Sequence, residues 1–214
     1  MRNPSETYIA KGKKCKHWRA TKAQLSIGGD PGPWRVAVQD YFRGRLQDRY
    51  LGPIETLQQS GHQAGEGFSI VALQCSLIEF LESTIQGTNY RYLRRGENLG
   101  PHEYSGSKDV FVHFLCERQP FQAVFGPAPT LAEDCYASVR CGLLHEARTK
   151  NGWRILAGSS SSALVDGAKR IVYRNGFQAG LVTFVAWYEQ AVPTDVSMQE
   201  AFIRKFEALC QQAT

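Results

Sequence analysis

A mainly α fold, a helical bundle with a small two-stranded antiparallel β ribbon near residues 153–174, is what this 214-residue chain predicts. Three observations carry that expectation. Residues 64–86, AGEGFSIVALQCSLIEFLESTIQ, are the most apolar segment: Phe68, Val71, Ile78, Leu81 and Ile85 make one helical stripe, which Ile70, Leu73, Leu77 and Phe80 widen. A helix so apolar belongs at the centre of a bundle. Residues 130–150 are amphipathic, with Leu131, Tyr136, Val139, Leu143 and Ala147 at helical spacing. Beyond them, Trp153–Gly158 and Lys169–Arg174 are short runs rich in Ile, Val, Tyr and Trp, which read as a ribbon.

Taken in order, the chain opens on a basic arm, residues 1–26, followed by one mostly helical domain over 27–214. Residues 1–24 hold seven of the 25 basic side chains and only one of the 20 acidic ones. Such an arm suits contact with nucleic acid or simple solvation. Ile27–Trp34 is turn-rich, since Asp30-Pro31 and Gly32-Pro33 break a helix. Trp34, Val38, Tyr41, Phe42 and Leu46 then keep helical spacing to about Tyr50, with Gly44 a weak point and Pro53 starting or kinking the next piece. Arg43, Arg45 and Arg49 cluster there and are candidate phosphate contacts; mixed with Asp40 and Asp48, they also suit a salt-bridged face.

In the apolar helix, Glu79 and Glu82 are three residues apart. Paired acid and base carboxylates face each other from different elements, so a polar helix face, with Glu79 pairing an arginine, is the better account. Thr88–Ser107 is a long loop carrying Tyr90, Arg91, Tyr92, Arg94 and Arg95. Tyr90 and Arg91 are candidates for stacking a base and holding a phosphate, or for anchoring a surface loop. Lys108–Arg118 is a short helix with a half-buried His113. Asn175-Gly176 turns the chain into a helix over Phe177–Val192, ended by Pro193, and a last helix runs over Val196–Cys210.

Hydrophobic residues at 43% and charged residues at 21% are ordinary for a globular chain with a core of its own. No run of eighteen apolar residues suggests a membrane span, and the N-terminus lacks the apolar region of a secretory signal. Six scattered cysteines without a C-x-x-C pair read as reduced thiols, which points to the cytoplasm. Clustered zinc ligands are not evident.

The chemistry-bearing stretch is Thr130–Lys150. Thr130 and Glu133 suit a capping box, and Asn151-Gly152 suits a left-handed stop. Within it Arg140 and His145 stand five positions apart, roughly 140° around the axis and about 7.5 Å along it. They are too far around to bond across one turn, but they can border one groove. A fixed positive fork beside an imidazole that exchanges a proton near neutral pH suits phosphodiester chemistry. The same spacing class recurs at Arg95 and His102, where Gly96, Gly100 and Pro101 argue for a loop.

Arg140-Cys141-Gly142-Leu143-Leu144-His145 resembles the Arg-x4-6-His signature of the HEPN superfamily, over roughly residues 64–150. The resemblance implies a helical-bundle, metal-independent endoribonuclease acting by 2′-hydroxyl transesterification. It also implies a toxin or anti-phage effector with no cofactor. Arg140 and His145 would be catalytic, and Arg148 a phosphate contact. The partners implied are RNA, a second copy completing a composite site, and an antitoxin or defence-system protein. The family usually places a polar residue after the arginine, where this chain has Cys141. That departure favours an alternative, a non-catalytic HEPN-like module binding a nucleotide or a protein partner. Cys141 and His145, four apart, form a third option as a thiol–imidazole dyad.

Overall fold

The computed structural model describes residues 7–60, 65–158 and 163–211. Three expectations fall partly outside them: the first six residues of the arm, residue 64 of the apolar helix, and the four serines joining the two ribbon runs. The fold is mainly α. Described residues gather into two compact units, one drawn from Met1–Pro53, Ser83–Ser105 and Trp187–Thr214, the other from Ile54–Glu82 and Gly106–Ala186.

Residues 8–22 are not a free basic arm. Strands β1 (Tyr8–Ala10) and β2 (Lys13–Lys14) pair antiparallel and lead into helix α1 (Cys15–Lys22). Cys15 and Trp18, three apart on α1, are both buried, and Trp18 stacks edge-on against Tyr41 at 5.1 Å between centroids. That apolar anchor was hidden by the charge count. Lys13 Nζ donates to Asp40 at 2.7 Å, and Lys22 pairs with Glu207.

From Pro31 to Gln59 the chain is one helical run: α2 (Pro31–Ala37), a π-helical stretch (Val38–Arg43), α3 (Gly44–Leu46), a second π stretch (Gln47–Leu51) and α4 (Gly52–Gln59). Asp30 starts it by accepting from the Gly32 N–H at 2.9 Å, with Pro31 in the first turn, where its missing N–H costs nothing. Helix α5 (Glu66–Gln86) follows. Among the described residues it is the helix long and apolar enough to cross a membrane, yet 61% of its most apolar stretch is buried within the protein. A parallel pair, β3 (Asn89–Tyr90) and β4 (Glu103–Tyr104), ties the two ends of the expected long loop.

Helices α6 (Ser107–Glu117), α7 (Gln122–Phe125) and α8 (Pro129–Asp134) lead through a third π stretch (Cys135–Arg140) into α9 (Cys141–Glu146). Strands β5 (Arg154–Leu156), β6 (Val165–Asp166) and β7 (Ile171–Tyr173) form a three-stranded sheet in the order β5-β7-β6. Its antiparallel ribbon is β6 with β7, whereas the Trp153–Gly158 run lies parallel to β7 on the other edge, Ile155 facing Val172. The connection is long enough to return β7 in the same direction as β5. Helices α10 (Arg174–Ala191) and α11 (Val196–Gln211) end the described chain. Asn175-Gly176 is therefore no turn: it sits in the first helical turn of α10, where N–H groups have no intrahelical partner to lose.

Aromatic rings fill both cores. The first unit packs Trp18, Trp34, Tyr41, Phe42, Tyr188, Phe202 and Phe206, and the second Phe111, Phe114, Phe121, Phe177 and Phe184. Lys205 is the exception among those apolar neighbours. Its Nζ donates to Ser83 Oγ at 2.7 Å and to the Thr88 carbonyl at 2.9 Å, and burial pushes the ammonium down to about 7 from 10.5. Between those values the unfolded chain holds more protons than the folded one, so stability rises with pH across the window. In Lys205→Met that rise should disappear, which urea midpoints at pH 7 and pH 10 will measure; an unchanged slope would assign it to other groups.

Candidate functional site

The Arg140–His145 segment is built differently from a single 130–150 helix. Pro129 sits in the first turn, Ala128 precedes it, and no side chain caps the start. The expected Thr130–Glu133 box is not formed; Glu133 reaches Lys108 Nζ at 3.1 Å instead. The helical run ends at Glu146, because Ala147 takes a left-handed conformation with φ 52°. From there the chain folds back, with the Lys150 N–H donating to the Ser138 carbonyl at 2.9 Å. Gly142 makes room for that return: a Cβ there would stand 2.5 Å from the Arg148 carbonyl oxygen.

A polar network fixes the returning segment. Asp134 accepts from Ser138 Oγ at 2.5 Å and from Trp153 Nε1 at 2.9 Å, and Asn151 Nδ2 donates to Ser138 Oγ at 2.9 Å. Burial opposes the charge on Asp134, but these donors and Arg170 outweigh it and hold the carboxyl below its usual range. The left-handed pair Asn151-Gly152 turns the chain into β5 rather than stopping the helix.

Arg140 is the last residue of the π stretch, and its side chain is 14% exposed. Nε and Nη2 both donate to Glu79 Oε1 at 2.7 Å, and the guanidinium lies 5.4 Å from the centre of the Tyr136 ring. Burial works against the charge on Arg140, and the Glu79 carboxylate more than offsets it. Burial in turn raises the Glu79 carboxyl, with Arg140 pulling the other way. His145 is exposed in the last turn of α9, and no neighbour among the described residues bonds to it. Leu144 beside it is also exposed. Arginine and histidine thus share one helical run, but one is buried in an ion pair and the other faces solvent. Neither lines the cavities of about 510, 370 and 340 Å³ found in the two units.

The remaining sequence candidates divide between the units. Arg148, near His145, has Nε and Nη2 on Glu146 Oε2 at 3.0 and 2.8 Å. The Arg43, Arg45 and Arg49 cluster is no open phosphate clasp, because each arginine has a partner in the first unit. Arg43 forks onto Glu189 at 2.6 and 2.7 Å. Arg45 donates to the Ile9 carbonyl at 2.6 Å, and burial, helped by Arg49, pushes it down to about 10. Arg49 reaches the Tyr8 carbonyl at 3.3 Å. Also in that unit, Tyr90 is exposed and packs edge-on to Tyr104 at 5.8 Å, while Arg91 bonds Glu103 at 3.0 Å and Glu97 at 3.4 Å.

Residue spacing did not single out two further clusters. Glu82, with a wholly buried side chain, is gripped by Arg118 through two bonds of 2.9 Å and lies 2.7 Å from His113 Nδ1. Glu66 pairs with Arg174, and both line the cavity of about 510 Å³. The available signal was three carboxylates in an otherwise apolar helix, each of which needs a cation when buried. Cys141 is half-buried, and all six cysteines are free. Among the described residues no three His, Cys, Asp or Glu side chains gather as metal ligands. No protein-family model, curated protein or solved structure matches the chain.

Removing one partner of the Arg140–Glu79 pair strands the other. Arg140→Ala should therefore cost roughly 2–4 kcal/mol of unfolding free energy, and His145→Ala should stay within about 0.5 kcal/mol of the parent. Urea denaturation of the two variants and of Glu79→Ala/Arg140→Ala will check both. The double variant should lose less than the sum of the single ones.

Proposed function

We propose that this protein is a metal-independent endoribonuclease of the HEPN type, acting as a pair of chains in a toxin or defence setting. The observation that supports it is the state of the two motif residues: a guanidinium held in one orientation by Glu79 and Tyr136, and, on the same helical run, an exposed imidazole with no neighbour competing for it. Orientation matters because a pre-set donor need not reorganise as charge develops.

In the reaction the ribose 2′-hydroxyl attacks the adjacent phosphorus as the bond to the 5′-oxygen breaks. This leaves a 2′,3′-cyclic phosphate and a 5′-hydroxyl. His145 moves a proton, taking it from the 2′-hydroxyl or giving it to the departing oxygen. Arg140 meets the phosphate with the N–H groups that Glu79 does not take, and their pull strengthens as the phosphorane-like state gathers charge, which favours the transition state over the ground state, as catalysis requires. A second copy across the exposed Leu144 and His145 supplies the opposing wall that one chain lacks.

The engagement of Arg140 by Glu79 favours a second reading, a non-catalytic HEPN-like module that binds a nucleotide or a protein partner. Total RNA incubated with the purified protein in EDTA separates the two. Cleavage should yield cyclic-phosphate ends, leave DNA intact and fall at least about 100-fold in His145→Ala. Arg140→Lys, which keeps the charge against Glu79 but loses the fork, should also cut poorly while remaining folded. Equal cleavage by parent and His145→Ala would refute the nuclease, and RNA binding without cleavage would leave the module.

A further inference from the structure

The cavity of about 340 Å³ is lined mainly from α6 and α8, and none of its lining residues belongs to the Arg140 and His145 motif. His113 of α6 borders it, with Nδ1 at 2.7 Å from Oε1 of the wholly buried Glu82. That carboxylate, paired with Arg118, can only accept, so a neutral ring carries its hydrogen on Nδ1 and leaves Nε2 bare. Nδ1 is turned into the protein, yet 46% of the side chain is exposed, which puts Nε2 on the open side. Nothing among the described residues bonds to it. An imidazole oriented by a carboxylate on one nitrogen and bare on the other is the usual form of a metal ligand.

Cys116 stands three residues on, a neighbour of His113 on the helix surface, and lines the same cavity. Its thiol makes one weak contact, to the Phe125 carbonyl at 3.7 Å. Glu117 and Glu133 both stand near enough to act on its charge, the second from α8 across the cavity. Glu133 meets Lys108 there at 3.1 Å, and because both side chains are about half exposed, that pair is easily given up. With Asp109, the lining sets three carboxylates against one ammonium, which favours a cation. Among the described residues no three donors converge as the side chains stand, so the third arrives by rotation of an exposed carboxylate.

We propose that this cavity binds a zinc ion through His113 Nε2 and Cys116 Sγ, with the Glu133 carboxylate leaving Lys108 to complete the protein's share of the ligands. The donor set selects the metal. A thiolate beside an imidazole suits zinc, whereas magnesium and calcium take oxygen ligands. As the ion binds, the thiol releases its proton and the sulfur gives that electron pair to the metal. The ion joins α6 to α8 and so acts as a clip on the fold. It asks nothing of Arg140 and His145, whose proposed reaction needs no metal.

Titration of the full chain with Co²⁺, a spectroscopic stand-in for zinc, tests this. One equivalent should bind with a sulfur-to-cobalt band in the near ultraviolet, and Zn²⁺ should abolish the band by displacement. Cys116→Ser, which keeps a donor for the Phe125 carbonyl, should lose the band. His113→Ala and Glu133→Gln should each weaken Zn²⁺ binding at least about tenfold, read by competition with a chromophoric chelator, with unchanged circular-dichroism spectra. Zn²⁺ should also raise the thermal midpoint of the parent and leave that of Cys116→Ser where it was. If His113→Ala fails to fold, Cys116→Ser and Glu133→Gln carry the test. No binding at sub-millimolar metal, a band that survives Cys116→Ser, or an affinity indifferent to His113→Ala or to Glu133→Gln overturns the proposal. None of these readouts depends on RNA cleavage.

Discussion

Three carboxylates on α5 each meet an arginine brought by a different later element, and the second unit depends on those meetings. Glu66 takes Arg174 from the start of α10, Glu79 takes Arg140 from the π stretch before α9, and Glu82 takes Arg118 from just beyond α6. Buried ion pairs of this kind add little net stability over apolar contacts of equal size. A helix packed in the wrong register, however, would leave a charge stranded in the core. The pairs therefore act on arrangement: they dictate which face of α6, α9 and α10 turns toward α5. The apolar work is done by the interlocked rings of Phe114, Phe121, Phe177 and Phe184, whose contacts, lacking hydrogen bonds, discriminate less sharply between one packing and another.

That constraint explains what was legible in the sequence. The stripe over 64–86 located α5 within two residues, and the stripes over Lys108–Arg118, Phe177–Val192 and Val196–Cys210 located α6, α10 and α11. Hydrophobic periodicity is a local record of burial, so it survives in one dimension. The pairing of Glu79 with an arginine was legible as a need, since a carboxylate in so apolar a helix requires a cation. Which arginine meets it was not, because that choice belongs to the packing of elements 61 residues apart.

Where the sequence misled, a tertiary contact had overruled a local preference. Ala147 accepts a left-handed backbone that its type disfavours because the Gly142 and Ser138 carbonyls, accepting from the Arg148 and Lys150 N–H groups, draw the following segment back across the helix. Asn175-Gly176, a turn by composition, is absorbed into α10 because Gln74 anchors Arg174 beside it. The basic residues at the N-terminus suggested a solvated arm, yet Trp18 and Cys15 outweigh them and tie α1 into the first unit's core. The Arg-x4-His spacing is of the same kind. It records two positions on one helical run, but whether their side chains share a surface is fixed by Glu79, a residue the spacing does not contain.

The three pairs differ in how fully they are bonded. Glu82 accepts two bonds from Arg118 and faces His113, and it is wholly buried. Glu79 takes both Nε and Nη2 of Arg140. Glu66 takes one, and its Oε2 and Arg174 Nη1 are buried without a partner. The more bonds a buried pair shares, the more firmly it sets the orientation of the two elements it joins, so Arg118 is fixed more tightly against α5 than Arg174 is. Arg140 stands between them: it gives Glu79 two of its five N–H groups through one carboxylate oxygen, enough to hold the guanidinium in place without spending the whole fork.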